Sequence, residues 1–464
     1  MLPAAPDSQA DGDTCSLICS NPTPESKRVV KGIVAVALFL VAAKGIGAVK
    51  EAVVAYRYGV TPVLDGYLFV FNTVMWWTNI CAAASGVIVA LLTRARCTSH
   101  DAYVQFRREL IGMTVILVLL SSLSMSLGLG YCLQNNLPGL SPQALEAAEH
   151  SVLWLVASMS LTLFAFLYSS FLMVREQHVN TLLESLPAAG IILFLAISPS
   201  EGITPILLGT VVGTLLYFIL VLLVDVRVHG FAFPHFGITS EQWRLLLRGY
   251  GVVAAGLVIT NTVTLIDNWF AAQLGEGAIA TLGYSNRLMS LLLGIVGTVA
   301  MRALLPVMSS MHVQRGEDAC LFVVRKWLKY SLAIGTVLVL ITMLLIPYMV
   351  EFILQRGAFT QQDATAVSSL LRVLVLQVPF YGFSILLSQW FISRARGYLP
   401  LLFASIIGAI AKLAVNIVAL STLGLAGIAL STVMMYVSIS LYLFLRSRPT
   451  SKGGNQSYDQ TRSI

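Results

Sequence analysis

Leu110-Ile-Gly-Met-Thr-Val-Ile-Leu-Val-Leu-Leu-Ser-Ser-Leu-Ser-Met-Ser-Leu-Gly-Leu-Gly-Tyr-Cys-Leu133 runs without a single charge. About 20 mostly apolar residues suffice for a helix to cross a bilayer core. The run therefore predicts a membrane span over 109–133, with Arg107 and Arg108 just before it. Moved outward in both directions, the same ruler gives twelve spans. They cover 29–57, 64–93, 109–133, 150–174, 179–198, 203–224, 243–273, 278–309, 326–351, 364–393, 398–421 and 424–445. Composition agrees: the 464 residues are 57% hydrophobic and 11% charged, whereas a soluble domain carries about 25% charged residues. So few charges cannot cover a water-soluble surface. The expected class is an all-α polytopic membrane protein. Several spans run near 30 residues, which predicts tilting or bending.

The formal charge of +7 does not indicate a nucleic-acid binder, because Lys and Arg cluster in short loops between apolar runs. One side carries Lys27, Arg28, Lys31, Arg94, Arg96, Arg107, Arg108, Arg175, Arg227, Arg244 and Arg248. It continues with Arg315, Arg325, Lys326, Lys329, Arg394, Arg396, Arg446, Arg448, Lys452 and Arg462, making 21 of the 29 basic residues. The other side carries Arg57 and Arg356. By the positive-inside rule both termini are expected to be cytoplasmic.

The domain plan follows from these spans. Residues 1–26 read as a disordered cytoplasmic tail, polar and without the basic start and apolar core of a signal peptide. A six-helix lobe over 27–224, a cytoplasmic linker at 225–242, a second six-helix lobe over 243–446 and a tail at 447–464 complete the chain. Two landmarks recur. Glu51 and Asp267 lie near the ends of spans one and seven, and Phe-Leu-Met-Val-Arg (171–175) parallels Trp-Phe-Ile-Ser-Arg (390–394). Repeats of six helices enter the membrane with the same orientation. They predict lobes related by a pseudo-two-fold axis along the membrane normal, with a cleft between them.

Cys15, Cys19, Cys81, Cys97, Cys132 and Cys320 show no metal-ligand spacing, and the six histidines fall in or beside loops. Neither a metal nor a bound cofactor is expected. Informative charges instead lie inside spans: Lys44, Lys50, Arg287, Arg302, Arg372 and Lys412, with Glu51, Asp65, Glu184 and Asp267. An ionised group facing lipid costs about 2.5–3.5 kcal/mol on insertion scales. Each must face a cavity, find a partner or snorkel.

Lys44 and Lys50 are separated by about 240° on an ideal helix, and Gly45 and Gly47 between them permit a bend. Arg287 carries a fork of donors that matches a pair of phosphate oxygens. Together the three predict a cationic pocket for a pyrophosphate headgroup; the plainer reading is that each is a buried ion pair or snorkels. Glu51 is placed to neutralise Lys50 or reach the other half. Asp65 opens span two, and both a helix cap and a gate partner for a basic residue fit it. Lys412, with Asn416 one turn on, reads either as a proton or monovalent-ion coupling site or as a local pair, with Glu184 as the suggested partner. Trp76, Trp77, Trp154 and Trp390 read as packing or interfacial residues.

At these residues the chain resembles the MurJ/MviN family, the lipid II flippase branch of the multidrug/oligosaccharidyl-lipid/polysaccharide (MOP) exporter superfamily. The resemblance rests on Lys-Gly-Ile-Gly-Ala-Val-Lys-Glu-Ala-Val-Val-Ala (44–55) with Tyr58, Gly59 and Asp65, and on Leu-Gly-Tyr-Ser-Asn-Arg-Leu (282–288) leading to Leu-Leu-Pro (304–306). It is completed by Gln-Arg-Gly-Ala-Phe-Thr (355–360) and Gly-Leu-Ala-Gly-Ile-Ala-Leu (424–430). The resemblance implies substrate-binding roles for Lys44, Lys50 and Arg287 and a gate role for Asp65. Two family arginines are lysines here, a third, whose place falls near Thr78, is absent, and twelve spans stand where such proteins usually have fourteen. It implies alternating-access flipping of a polyprenyl-diphosphate-linked glycan, either lipid II or an exopolysaccharide repeat unit, across a bacterial inner membrane. Glycan polymerases or glycosyltransferases would be its partners. Alternatives are a cation-coupled small-molecule antiporter of the same superfamily, which would favour acidic cavity residues, and a membrane enzyme of polysaccharide assembly. The short outer loops hold no dense carboxylate or histidine group for the latter.

Overall fold

A computed structural model describes residues 25–174, 180–198, 202–393 and 398–447. Nearly all of both expected tails and the side chain of Arg302 lie outside the described residues. Among the described residues every regular element is a helix. In chain order these are α1 (Glu25–Tyr58), α2 (Pro62–Ala82), α3 (Ala84–Thr98), α4 (His100–Gln134) and α5 (Pro142–Met173). Next come α6 (Asn180–Leu183), α7 (Leu186–Ile197), α8 (Thr204–His229), α9 (Gln242–Ala272) and α10 (Ala278–Ile353). The last are α11 (Gln361–Leu374), α12 (Val378–Ser393), α13 (Tyr398–Leu423) and α14 (Leu425–Arg446). Nine helical segments among the described residues are long and apolar enough to cross a membrane. The other expected spans fall on α1, on the shorter apolar helix α7 and on the first part of α10.

Four features differ from the sequence reading. Span two divides at Ala83 into α2 and α3, and span ten divides at a 3-10 turn, Val375–Gln377, between α11 and α12. Span five is formed by the one-turn α6 and by α7, with Pro187 in the first turn of the latter. The loop expected between spans eight and nine is helical, so α10 runs through both over 76 residues. Residues 310–325 hold one glycine, Gly316, and no proline, so nothing there stops helical propagation. At about 1.5 Å per residue α10 is several times longer than one membrane crossing.

The chain forms two compact units. The first takes the residues through Arg57, then Phe69–Leu137 and Pro142–Leu257; the second takes Tyr58–Leu68, Pro138–Ser141 and everything from Val258. The start of α2 therefore belongs with the second unit, and the first half of α9 with the first.

Each unit has its own packed core. In the first, Leu92, Phe106, Phe171 and Trp243 join α3, α4, α5 and α9, with the Phe106 and Trp243 rings edge to face at 5.9 Å. In the second, Cys320, Leu387, Trp390, Phe391 and Leu443 join α10, α12 and α14. Between α7 and α8, contact is backbone on backbone. A Cβ on Gly209 would lie 2.7 Å from Ile191 Cα, and one on Gly213 would lie 2.6 Å from the Leu186 carbonyl oxygen. Gly209 and Gly213 are four apart on α8, the small-residue spacing that lets membrane helices approach closely where hydrophobic burial cannot drive them together.

Candidate functional site

Gly59 takes φ +54° and turns the chain out of α1. Thr61 and Pro62 then start α2, whose first turn carries Asp65. Its carboxylate is buried, at 3% exposure. Oδ2 accepts the Gly277 N–H at 2.6 Å and Oδ1 accepts the Ala280 N–H at 2.7 Å. Those N–H groups open α10, where a helix has no internal acceptors and its dipole is positive. Asp65 thus caps a helix, but not the one it sits on. Nearby, the Tyr284 hydroxyl donates to the Gly59 carbonyl at 3.2 Å and its ring stands edge-on to Phe359 at 5.4 Å. A Cβ on Gly59 would lie 2.4 Å from the Ala358 carbonyl oxygen. Residues 58–68, the start of α10 and the turn at 356–359 are one locked cluster within the second unit.

Lys44 and Lys50 lie on α1 in the first unit. Lys44 is exposed, whereas Lys50 is half-buried with its Nζ 2.5 Å from Glu51 Oε1. Arg287 is half-buried on α10 in the second unit, one turn beyond Tyr284. A groove of about 460 Å³ lies elsewhere, at the ends of α1 and α7, lined by Tyr56, Arg57 and Ser198 among others. Arg57 Nη2 donates there to the Ser198 carbonyl at 3.1 Å.

Lys412 is the largest departure from the expected pairing. Its ammonium, 1% exposed, lies 2.8 Å from Asp267 Oδ2 and donates to the Thr432 hydroxyl. Asn416 Nδ2 contacts Asp267 Oδ1 at 3.4 Å. Glu184 is in the first unit and is not its partner. Burial decides this: an ammonium with no water must have an anion in contact, and α9 supplies Asp267 beside α13. One buried polar network thus joins α9, α13 and α14. Among the described residues, no group of three or more His, Cys, Asp or Glu side chains is placed to hold a metal ion.

A second buried network lies at the start of α4. Arg107, counted in the sequence among loop cations, is 4% exposed and pairs with Asp225 of α8 at 2.5 Å. Its guanidinium also lies 5.3 Å from the centre of the Phe171 ring. Glu109 is fully buried and accepts from the Trp243 indole at 2.6 Å, the Ser240 N–H at 3.2 Å and the Thr239 hydroxyl. The signal in the sequence was an acid, Asp225, directly after span six.

The profile of the family described as lipid II flippase MurJ matches residues 54–460. The probable lipid II flippase MurJ of Thermotoga maritima is 25% identical over 218 residues, covering 47% of this chain and 44% of that protein. That of Rhizobium tropici is 28% identical over 206 residues, 44% of this chain and 37% of that protein. That of Buchnera aphidicola is 20% identical over 385 residues, 79% and 73% of the two. The aligned part of the chain thus spans less than half the length of the first two relatives. Among solved structures, a lipid II flippase MurJ in an inward closed conformation superposes with a TM-score of 0.72 at 18% identity, covering 89% of this chain and 87% of that one. An inward-facing multidrug resistance MATE family transporter of the MOP superfamily gives 0.73 at 16%, covering 87% and 93%. At such identities these two likenesses establish the fold.

Proposed function

We infer, from the premise that this chain belongs to the MurJ family, that it is a flippase for a polyprenyl-diphosphate-linked glycan. The observation that carries this reading is the extent of the family match, residues 54–460, which takes in Asp65, Asp267, Arg287 and Lys412. Lys44 and Lys50 lie ahead of it. Arg287 is therefore the first residue assigned to the diphosphate, with its guanidinium fork donating to paired phosphate oxygens. Lys44 and Lys50 add charge without bidentate geometry.

In this reading the two six-helix lobes rock between inward-open and outward-open states, while the polyprenyl tail stays in lipid. Asp65 holds the start of α10 at the gate. An inside-negative potential resets the cationic cavity, at about 2.3 kcal/mol per charge per 100 mV. The Asp267–Lys412 pair is the proposed place for proton or monovalent-ion coupling, with Glu184 outside it. The relatives are flippases by name, so the activity is transport and not enzymatic turnover. We place the protein in the bacterial inner membrane with both termini cytoplasmic, alongside the glycosyltransferases or polymerase that make and use the glycan.

The test is growth of a bacterium depleted of its own lipid II flippase, complemented with the wild-type chain and with Arg287→Ala at equal membrane abundance. Growth with the wild type and not the variant assigns lipid II as the glycan. No growth with a correctly inserted wild type turns the assignment to an exopolysaccharide unit, measured as polysaccharide output in a deletion strain. Normal output there would overturn the reading.

A further inference from the structure

The segment 230–241 joins two membrane spans, Thr204–Val228 and Gln242–Ala272, and is not helical. It is strapped onto the first turns of α4 by its inner side. Arg107 donates to the Gly230 carbonyl at 3.3 Å, Arg108 Nε to the Phe233 carbonyl at 3.2 Å, and the His235 N–H to the Arg108 carbonyl at 2.9 Å. Gly112 admits the strap closely, since a Cβ there would lie 2.2 Å from the His235 carbonyl oxygen. Glu109 ties down Thr239 and Ser240. The outer side is apolar: Phe231, Phe233, Phe236 and Ile238 are 66%, 68%, 61% and 58% exposed.

Four large apolar side chains on one short non-spanning segment are too many for a water-facing loop without a partner. Chain connectivity says what the partner is. Both ends of the strap enter membrane helices within a few residues, so the strap lies at the level where the bilayer meets water. Exposed arginines flank it: Arg227 at the end of α8, Arg108 beneath it, and Arg244 and Arg248 in the first turns of α9. Aromatic side chains with cations beside them match the headgroup layer of an anionic leaflet.

We propose that residues 231–238 form a lipid-binding strap, with Phe231, Phe233, Phe236 and Ile238 inserted into the headgroup region of an anionic leaflet and Arg227, Arg244 and Arg248 on its phosphates. This anchors the segment between α8 and α9, within the first unit, to the membrane surface. It does not depend on which glycan, if any, the protein moves.

The experiment places benzophenone-alanine at Phe233 or Phe236 of the full chain, in proteoliposomes containing clickable phosphatidylglycerol or phosphatidylcholine. Leu119, 65% exposed in the middle of α4, serves as the lipid-facing control. The strap positions are expected to give lipid adducts at yields comparable to Leu119, with phosphatidylglycerol preferred. Arg244→Gln should lower that preference by about fivefold, the worth of one surface cation. Labelling at Leu119 with none at either strap position overturns the proposal. So does a strap that crosslinks in cells to a single protein and never to lipid. Equal labelling by the two lipids overturns the arginine part.

Discussion

The carboxylate of Asp65 receives the backbone N–H of Gly277 at 2.6 Å, across 212 residues of sequence. The contact fixes where α10 begins relative to α2, and so fixes the helix that carries Arg287. Asp65→Asn keeps the shape, but turns one of the two accepting oxygens into a donor facing another donor. Loss of one charge-assisted bond and the remaining charge at a helix N-terminus should cost about 2–3 kcal/mol. The unfolding midpoint in detergent measures this. A variant as stable as wild type would remove Asp65 from the framework.

Much of this was legible in advance. Spans as long and apolar as 110–133 admit one solvent, so the all-helical membrane class followed from composition. Asp65, Asp267 and Lys412 stood out because buried ions are costly in lipid. Their partners did not stand out, because helix–helix register is set by contacts far apart in sequence. Lys412 pairs with Asp267 and not Glu184 because α9, α13 and α14 meet, and no local pattern encodes that. The linker 225–242 read as a plain connector, since nothing in its composition says that Glu109 binds it.

Gly213 in the α7–α8 seam and Gly128 on α4, outside it, should respond to alanine with opposite signs. Gly213→Ala puts a methyl 2.6 Å from the Leu186 carbonyl oxygen, which forces the helices apart. Overpacking of this kind costs about 1–3 kcal/mol. Gly128→Ala on α4 meets nothing within 4 Å, and alanine favours helix over glycine by about 0.5–1 kcal/mol. Thermal unfolding in a common detergent should rank Gly128→Ala at or above wild type and Gly213→Ala below it. The reverse order would mean that this seam does not limit stability.

The Asp267–Lys412 pair predicts strong non-additivity. Lys412→Met strands a buried carboxylate and Asp267→Leu strands a buried ammonium, at about 3–5 kcal/mol each. Removing both leaves no stranded charge, so the double variant should recover most of the loss. Folded yield and unfolding midpoint test that cycle. Flipping activity then separates two roles. A double variant that folds but no longer responds to proton or sodium gradients places coupling at this pair. One that folds and transports with the wild-type gradient response makes the pair structural alone.

Glu109 should govern the opening of the strap. Its carboxylate is the acceptor for Thr239, Ser240 and the Trp243 indole, and it is fully buried. Glutamine is the same size, yet it offers one accepting oxygen and turns an amide donor toward the remaining donors. The charge-assisted bonds lost are worth about 2 kcal/mol, which is about thirtyfold in the population of the open strap. Chymotrypsin cuts after Phe231 and Phe236, while Pro234 protects the bond after Phe233, so nicking of detergent-solubilised protein reads that population directly. Glu109→Gln should be cut at these sites about thirtyfold faster while the global unfolding midpoint moves far less. Thr239→Ala removes one neutral donor and leaves the carboxylate its other partners, so its effect should be several times smaller. Nicking at the wild-type rate in Glu109→Gln would mean that Arg107, Arg108 and the close backbone contact at Gly112 hold the segment without help from the acid.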